Sequence, residues 1–285
     1  MADVEVERHG GVLLVEMVRD EHNNAISGTL LADLAEAFDQ ARRDDDIKVV
    51  VTTGRGEAFS VGAHLPELLE HLDLPTYRFL NGPQVGGDRG YGVLTDDQAR
   101  IEELGVGRWA QRMLALDKPT IAALNGSAAG GGLGIALLHD YRIASEKAKL
   151  STSWTRVGVG PEMGASHILP RLVGHRVAFD LLLRSPVLSA HEALRIGLVD
   201  RVVAANQVRD AALELAAELA ALPTLAVQMT KRLTRLAGTV PLEHMLKEEY
   251  RTLYTLFDAP SVRESIRTQL TRVRDAADNR DIPRR

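Results

Sequence analysis

The sequence of 285 residues contains no cysteine. This absence excludes disulfide bonds, catalysis by a cysteine thiolate and zinc sites built from cysteine ligands. The nine histidines are scattered along the chain and lack the His-Glu-x-x-His spacing of a common zinc site. The sequence therefore predicts no metal site.

A strong excess of one charge is also missing. The chain has 34 lysines and arginines against 39 aspartates and glutamates, and the basic residues form no cluster that would suit nucleic acid. No apolar run approaches the length of a membrane-spanning helix. The first residues are acidic and lack the apolar core of a signal peptide. We expect a soluble, cytoplasmic globular protein that binds neither nucleic acid nor membranes.

Two familiar glycine motifs are absent from the glycine-rich stretch between Lys118 and Asp140. After the triplet Gly130 to Gly132, Ile135 stands where the dinucleotide-binding motif Gly-x-Gly-x-x-Gly requires glycine. No Gly-Lys-Ser or Gly-Lys-Thr follows, so the phosphate-binding P-loop is excluded as well. What is present is a short apolar strand, a glycine turn and an apolar helix that starts among the glycines.

Such a junction leaves backbone N–H groups unpaired in the first turn of the helix. Two aligned amides can stabilise an oxyanion and lower a reaction barrier by a few kcal/mol. The alternative is a packing turn where a helix lies close to a sheet, and the glycines taken alone favour this alternative. A second strand–glycine–helix junction, centred on Gly62 and Ala63, lies within residues 58–72.

Strands and helices alternate around these junctions, which favours an α/β layered core. From about residue 206 onward the pattern is helical. We therefore predict a core domain over residues 1–204 and a helical region over residues 205–285. Residues 73–97 carry several glycines without periodicity, and we interpret them either as a mobile surface loop near a site or as a disordered connection.

Three stretches together resemble the crotonase superfamily, the enoyl-CoA hydratase/isomerase family. They are residues 49–69, residues 118–145 and residues 157–203, the last containing Gly-Pro-Glu-Met-Gly-Ala-Ser-His-Ile-Leu-Pro-Arg-Leu-Val-Gly. The resemblance implies a crotonase-like ββα spiral core, with a C-terminal helical region that serves oligomerisation and covers coenzyme A. It also implies a homotrimer or a dimer of trimers. The substrate is implied to be an acyl-CoA thioester, with no further cofactor because coenzyme A is part of the substrate.

In this family two backbone N–H groups polarise the thioester carbonyl and hold the enolate that forms. The matching positions here are Ala63 and Gly131, which the resemblance implies as catalytic. The residues that it implies as substrate-binding surround these two amides and the candidate acid; they are Ala63, His64, Leu65, Pro66, Gly130, Gly131, Trp154 and Pro161.

The carboxylates depart from the hydratase pattern. Hydratases of the family carry one glutamate just after the glycine triplet and another further along, where this sequence has Gly134 and Trp154. Addition of water needs one group to activate the water and another to supply the α-proton, so the sequence does not favour an ordinary hydratase. Glu162 stands where enoyl-CoA isomerases of the family place their single acid. One carboxylate is enough to move a proton from C2 to C4.

The surroundings of Glu162 leave its ionisation open. An apolar wall from Trp154 would raise the pKa of the Glu162 carboxyl, whereas a helix starting near Met163 would lower it. The sequence does not decide between these effects. The alternative to a catalytic role is that Glu162 is simply a residue at the start of a helix.

A second resemblance competes with the isomerase. The run Gly-x-Ala-Ala-Gly-Gly-Gly-Leu-Gly-Ile, with Trp154 and an acid eight residues later, is similar to 4-chlorobenzoyl-CoA dehalogenases, in which that acid is an aspartate that attacks the ring. Glu162 in place of the aspartate, and Gly107 near the position of the helper histidine, count against dehalogenation.

Other readings of the same site stay open. The shared tryptophan allows a bulky or aromatic acyl group, with hydrolysis, C–C bond cleavage or hydration by an unusual base as the reaction. Glu67 is close enough to the cleft to act as a reserve acid. A thioester-binding subunit without turnover is the remaining alternative.

Overall fold

The computed structural model describes residues 3–72 and 106–278. The glycine-rich segment 73–97 lies outside the described residues. The chain divides into two compact units, with the division after Ala217. The domain boundary near residue 204 stays a prediction.

The larger sheet of the first unit has six described strands in the order β1-β2-β3-β5-β7-β10. Only β1 is antiparallel to its neighbour, and all other pairs in this sheet are parallel. The strands are β1 (Val4–His9), β2 (Val12–Met17), β3 (Val49–Gly54), β5 (Thr120–Leu124), β7 (Tyr141–Ser145) and β10 (Arg201–Val203). The two central strands β3 and β5 are buried along their whole length, as expected of parallel strands that are covered on both faces.

A smaller sheet lies alongside, with the order β4-β6-β8-β9 in the described chain. Its strands are β4 (Ala58–Ser60), β6 (Ser127–Ala129), β8 (Lys149–Ser151) and β9 (Leu188–Ser189). We predicted a direct turn from β5 into the glycine helix, and this was wrong, because β6 intervenes. Three residues are too few for a strand to show hydrophobic periodicity.

The turn between β5 and β6 carries the chain from one sheet to the other. A Cβ at Gly126 would lie 1.8 Å from the carbonyl oxygen of Glu57, so only glycine fits there. The Asn125 side chain fixes the same turn, since its Oδ1 accepts from the N–H of Gly54 at 3.0 Å. The two sheets are therefore joined by direct backbone contact.

The helices of the first unit cover these sheets. They are α1 (Leu30–Arg43), α2 (Leu65–Leu72), α3 (Val106–Leu114), α4 (Gly131–Leu137), α5 (Ala165–Val173), α6 (His175–Arg184), α7 (Ala190–Arg195) and most of α8 (Val208–Ala220). Every residue of α4 is buried, in agreement with its apolar sequence. The α/β layered core that the sequence predicts is confirmed.

Helix α1 begins without a side-chain cap. Thr29 occupies the cap position and makes no capping hydrogen bond with its side chain. The nearby Ser27 accepts a hydrogen bond from Arg19, Nη2 to Oγ at 2.7 Å. The apolar face of the helix is buried, including Leu30, Leu34 and Phe38.

The second unit is helical in its described part and contains α9 (Thr224–Leu236), α10 (Leu242–Phe257) and α11 (Pro260–Asp278). No single helix among the described residues is both long and apolar enough to cross a membrane. One pair of helices, residues 205–220 and 224–236, reaches the required length and composition together, but it is bent by 106°.

Candidate active site

The two glycine junctions follow neighbouring strands of the smaller sheet. Strands β4 and β6 run parallel, with Ser60 opposite Ala128, so the chain leaves both strands at the same edge. Gly62 has φ +83°, and a Cβ on it would lie 2.6 Å from the carbonyl oxygen of Ala129 and 2.9 Å from the amide nitrogen of Gly131. The two junctions are therefore in contact, and glycine at position 62 is what allows it.

The amide of Ala63 faces away from the nearest backbone. Ala63 forms an isolated parallel bridge with Ile26, in which the N–H of Ile26 donates to the Gly62 carbonyl at 2.7 Å and the N–H of His64 donates to the Ile26 carbonyl at 3.2 Å. The Ala63 N–H belongs to the same trans peptide group as the Gly62 carbonyl, so it points to the side opposite Ile26. It donates to no other group in the part of the chain that the structure describes.

The second amide belongs to Gly131, the first residue of α4. The N–H groups at the start of a helix have no partner within that helix. The preceding Gly130 has φ +49°, and its own N–H donates to the Ser151 carbonyl at 3.0 Å. The Gly131 N–H has no acceptor among residues 3–72 and 106–278. The two junctions, which are in contact, therefore provide two backbone N–H groups, those of Ala63 and Gly131, that donate to no acceptor among the described residues.

Glu162 lies beside the second of these donors. Its Oε1 is 3.0 Å from the position that a Cβ on Gly131 would take. The indole nitrogen of Trp154, a buried residue, donates a hydrogen bond to the same oxygen at 3.3 Å. Burial raises the pKa of the Glu162 carboxyl above its usual range, and the hydrogen bond from Trp154 lowers it by less. The question that the sequence left open is answered in favour of a raised pKa.

The helix after Glu162 starts later than expected. We predicted a helix beginning near Met163, and this was wrong. Met163 and Gly164 both have positive φ, +52° and +76°, and α5 begins at Ala165. The Glu162 carboxylate is therefore outside the first helical turn, where a helix dipole would lower its pKa most.

Met163 occupies the space beside Gly134. A Cβ on Gly134 would lie 3.0 Å from Sδ of Met163 and 3.1 Å from its Cβ. Position 134 is the one where hydratases carry a glutamate. A larger side chain there would have to displace the buried thioether of Met163.

Trp154 is fixed by hydroxyl groups on both sides in the sequence. The Oγ1 of Thr152 donates to the Leu181 carbonyl at 2.6 Å, and the Oγ1 of Thr155 donates to the Leu183 carbonyl at 3.0 Å. Both threonine hydroxyls also lie 3.0 Å from Oγ of Ser185. The short 3-10 helix that starts at Trp154 is thereby attached to the end of α6, which sets the direction of the indole.

The remaining predicted binding residues lie around the Ala63 junction and at the approach to Glu162. Leu65 and Pro66 begin α2 and are exposed, as is Pro161. Nδ1 of His64 is 3.6 Å from Oε2 of Glu67 and makes no hydrogen bond within the described chain. Contact of these residues with a substrate stays a prediction.

Two residues of this site were not identified from the sequence. Ile26 places its Cδ1 2.7 Å from the position of a Cβ on Gly131. It follows a polar loop and carries no motif, so no sequence signal pointed to it. The sequence predicted only a helix start at Met163. Glycine at position 134, where hydratases carry a glutamate, indicates free space that another side chain could fill, and Met163 fills it. Among the described residues, no group of three or more histidine, aspartate or glutamate side chains could hold a metal ion.

The sequence profile of the enoyl-CoA hydratase/isomerase family matches residues 7–79 and 88–274. The chain belongs to this family. Membership of the crotonase superfamily, expected from the motifs, is confirmed. The protein is thus an acyl-CoA enzyme of the hydratase/isomerase family, and its substrate class follows from that membership.

Named relatives carry out different reactions. The chain is 29% identical to 4-chlorobenzoyl coenzyme A dehalogenase-1 from Arthrobacter sp over 92% of this chain and 88% of the relative. It is 32% identical to (E)-benzylidenesuccinyl-CoA hydratase from Thauera aromatica over 85% of this chain and 84% of the relative. The predicted resemblance to the dehalogenase is confirmed, and membership of the family does not by itself give the reaction.

The fold of this family member is found in solved structures. The crystal structure of enoyl-CoA hydratase from Bacillus anthracis superimposes with a TM-score of 0.81 at 27% identity, covering 95% of this chain and 97% of that chain. The structure of Pseudomonas aeruginosa DspI gives the same TM-score at 31% identity, with 95% of each chain covered. The predicted crotonase-like fold is confirmed.

Proposed function

We propose that this enzyme moves a carbon–carbon double bond from C3 to C2 of a CoA-bound acyl chain, with Glu162 as its single acid–base group. The observation that carries the proposal is the position of the Glu162 carboxylate, whose Oε1 lies against Gly131. A thioester oxygen held by the Ala63 and Gly131 amides would have its C2 next to that carboxylate.

The geometry supports a two-step proton transfer. Glu162 removes a proton from C2, and the electron pair of the C–H bond passes into an enolate whose oxygen is held by the amides of Ala63 and Gly131. The same carboxyl then returns the proton at C4, and the double bond is left between C2 and C3. A raised pKa suits this work, since the group must both accept and give back a proton near neutral pH.

Hydration is disfavoured by what occupies the hydratase positions. Position 134 is glycine, and the space beside it is filled by Met163. Position 154 is a tryptophan whose only polar atom is turned to Glu162. An ordinary hydratase would need two carboxylates where this enzyme has none.

The lining of the substrate site follows the family pattern. Ala63, His64, Leu65 and Pro66 would lie along the arm of coenzyme A, and Gly130, Trp154 and Pro161 would lie near the acyl group. No cofactor beyond the coenzyme A of the substrate is needed for proton transfer. Assembly as a trimer or dimer of trimers, and a cytoplasmic location, stay predictions; light scattering on the purified chain tests the first.

Incubation with 3-enoyl-CoA tests the proposal directly. We expect formation of 2-enoyl-CoA, and a fall in kcat of about 10²–10⁴-fold in Glu162→Gln, because general acid–base groups contribute about that much. Glu146→Gln, at an exposed glutamate outside the proposed site, is the matched control and should keep most of the activity. Hydration of 2-enoyl-CoA that persists in Glu162→Gln would contradict the assignment.

A second candidate is an enolate reaction on a bulky or aromatic acyl-CoA. Two relatives named above act on aromatic acyl groups according to their names, and Trp154 provides a buried aromatic side chain at the acid. Hydrolysis, C–C bond cleavage and atypical hydration all fit this candidate. Turnover of an aromatic acyl-CoA, with no turnover of linear 3-enoyl-CoA, would favour it. Tight binding of CoA esters without any turnover would instead indicate a binding subunit.

A further inference from the structure

Met163 has a backbone conformation that disfavours its side chain. Its φ is +52°, in the left-handed region, and the next residue, Gly164, is left-handed too. Glycine at position 163 would adopt this conformation without the steric cost of a Cβ. Residues strained in this way persist where the surrounding structure holds them, and they cluster at functional sites. The turn alone would favour glycine at position 163, so the presence of a methionine there must be explained by what its side chain contacts.

The Met163 side chain borders the Glu162 carboxylate. Oε1 of Glu162 and Cε of Met163 lie 3.0 Å and 3.6 Å from one common point, the position that a Cβ on Gly131 would take. Sδ of Met163 packs on Gly134, and the residue is only 3% exposed. The Met163 side chain thus lies along α4 from Gly131 to Gly134, and its end approaches the same point above Gly131 as the Glu162 carboxylate.

A water molecule at the acid would need this space. Buried water requires both room and about two to four polar partners. The Glu162 carboxylate and the Trp154 indole N–H supply polar partners, but the buried Met163 side chain occupies space beside Gly131 and Gly134. Glu162 itself is partly buried, and Met163 takes up room on the α4 side of its carboxyl, near the position where hydratases of this fold hold a carboxylate.

We propose that Met163 keeps water from the Glu162 carboxylate, so that the proton taken from C2 stays on this carboxyl until it is returned to C4. This inference rests on the proposed isomerase function. A carboxyl in contact with water would exchange its proton with solvent between the two transfers. A carboxyl covered by Met163 would deliver to C4 the proton that it received, with no other reactant involved.

A deuterium label at C2 of 3-enoyl-CoA tests this inference. The reaction is run in ordinary water, and NMR and mass spectrometry locate the label in the 2-enoyl-CoA product. We expect wild type and Met163→Leu to transfer label to C4, and Met163→Gly and Met163→Ala to lose it to solvent. Met163→Gly also relieves the backbone strain, and Met163→Ala decides the question if the glycine variant does not fold. Met113→Ala, at another buried methionine, is the matched control and should transfer label like wild type.

The outcomes separate the two proposals. Product without label at C4 in wild type, or equal transfer of label to C4 in wild type, Met163→Gly and Met163→Ala, overturns the role of Met163 and leaves the isomerase function standing. Absence of any double-bond movement in wild type removes the isomerase function and this inference with it. Loss of label in the small variants alone supports the inference, because a purely structural role of Met163 would not change the fate of the proton.

Discussion

The indole nitrogen of Trp154 donates a hydrogen bond to Oε1 of Glu162 across 3.3 Å. This contact joins Trp154, at a position where hydratases carry a glutamate, to the Glu162 carboxylate beside Gly131. Burial and this hydrogen bond act on the pKa of Glu162 in opposite directions, and burial has the larger effect. The balance between them controls the pH at which the proposed base becomes active.

Trp154→Phe should move the activity profile to higher pH. The substitution keeps an apolar ring but removes the hydrogen bond that stabilises the ionised carboxylate, so the pKa of Glu162 should rise further. The acidic limb of kcat/KM for 3-enoyl-CoA should shift upward, with activity lost at a higher pH than in wild type. The sequence provides a matched control in Trp109→Phe, because Trp109 is equally buried and its indole nitrogen has no hydrogen-bond partner among the described residues. An unchanged profile in Trp154→Phe would remove this role of the indole.

Glu162→Gln should stabilise the protein at neutral pH. The folded state raises the pKa of this carboxyl, so folding favours its protonated form, and its contribution to stability is lost as pH rises through the folded pKa. Gln does not titrate. The stability of the variant relative to wild type should therefore grow as the pH rises above about 4.3, the usual pKa of glutamate. Chemical denaturation at pH 4 and pH 8 measures the difference, and a gain that is larger at pH 4 would contradict the raised pKa.

Gly62→Ala should damage both stability and activity. The new Cβ would lie 2.9 Å from the Gly131 amide nitrogen and would push the two junctions apart. We expect a loss of about 1–3 kcal/mol from the φ of +83° alone, and a loss of activity from the displaced amides. Gly10→Ala is the matched control, since Gly10 also has positive φ but a Cβ there would meet no atom within 4 Å. A loss of activity in Gly10→Ala equal to that in Gly62→Ala would show that general destabilisation is the cause.

Gly134→Glu alone should not create a hydratase. The first atom of the new side chain would lie 3.0–3.3 Å from three atoms of Met163, so the carboxylate could enter only by displacing a buried side chain. Overpacking of this kind costs about 1–3 kcal/mol. We expect a lower melting temperature and no hydration of 2-enoyl-CoA. Measurable hydration in this single variant would contradict the prediction, because it would show that the Met163 side chain moves aside for the new carboxylate.

Much of the fold could be predicted because long segments carry clear periodicity. The alternation of strands and helices predicted the α/β core, and the helical pattern after about residue 206 predicted the C-terminal helices. Strands β6 and β9 could not be predicted, because segments of two and three residues are defined by their partners in the sheet. The start of α5 was also missed, since two left-handed residues, one of them a methionine, delay it.

The candidate site was predictable only in part. The residues proposed as amide donors came from glycine patterns and from the family resemblance, and the role given to them stays a prediction. The contact between Trp154 and Glu162 required the path of the loop between them. Ile26 and Met163 approach Gly131 through tertiary packing, which no local pattern in the sequence reports.

The amides of Ala63 and Gly131 belong to the main chain, and this has a consequence for how such an enzyme can change. No substitution of a side chain deletes a peptide N–H, except replacement by proline. The proposed recognition of the thioester can therefore survive while the acids at neighbouring positions are exchanged, removed or moved to another loop. Positions 154 and 162 can change without touching these amides, whereas a side chain at position 134 also requires Met163 to move, and a side chain at Gly62 would collide with the Gly131 amide.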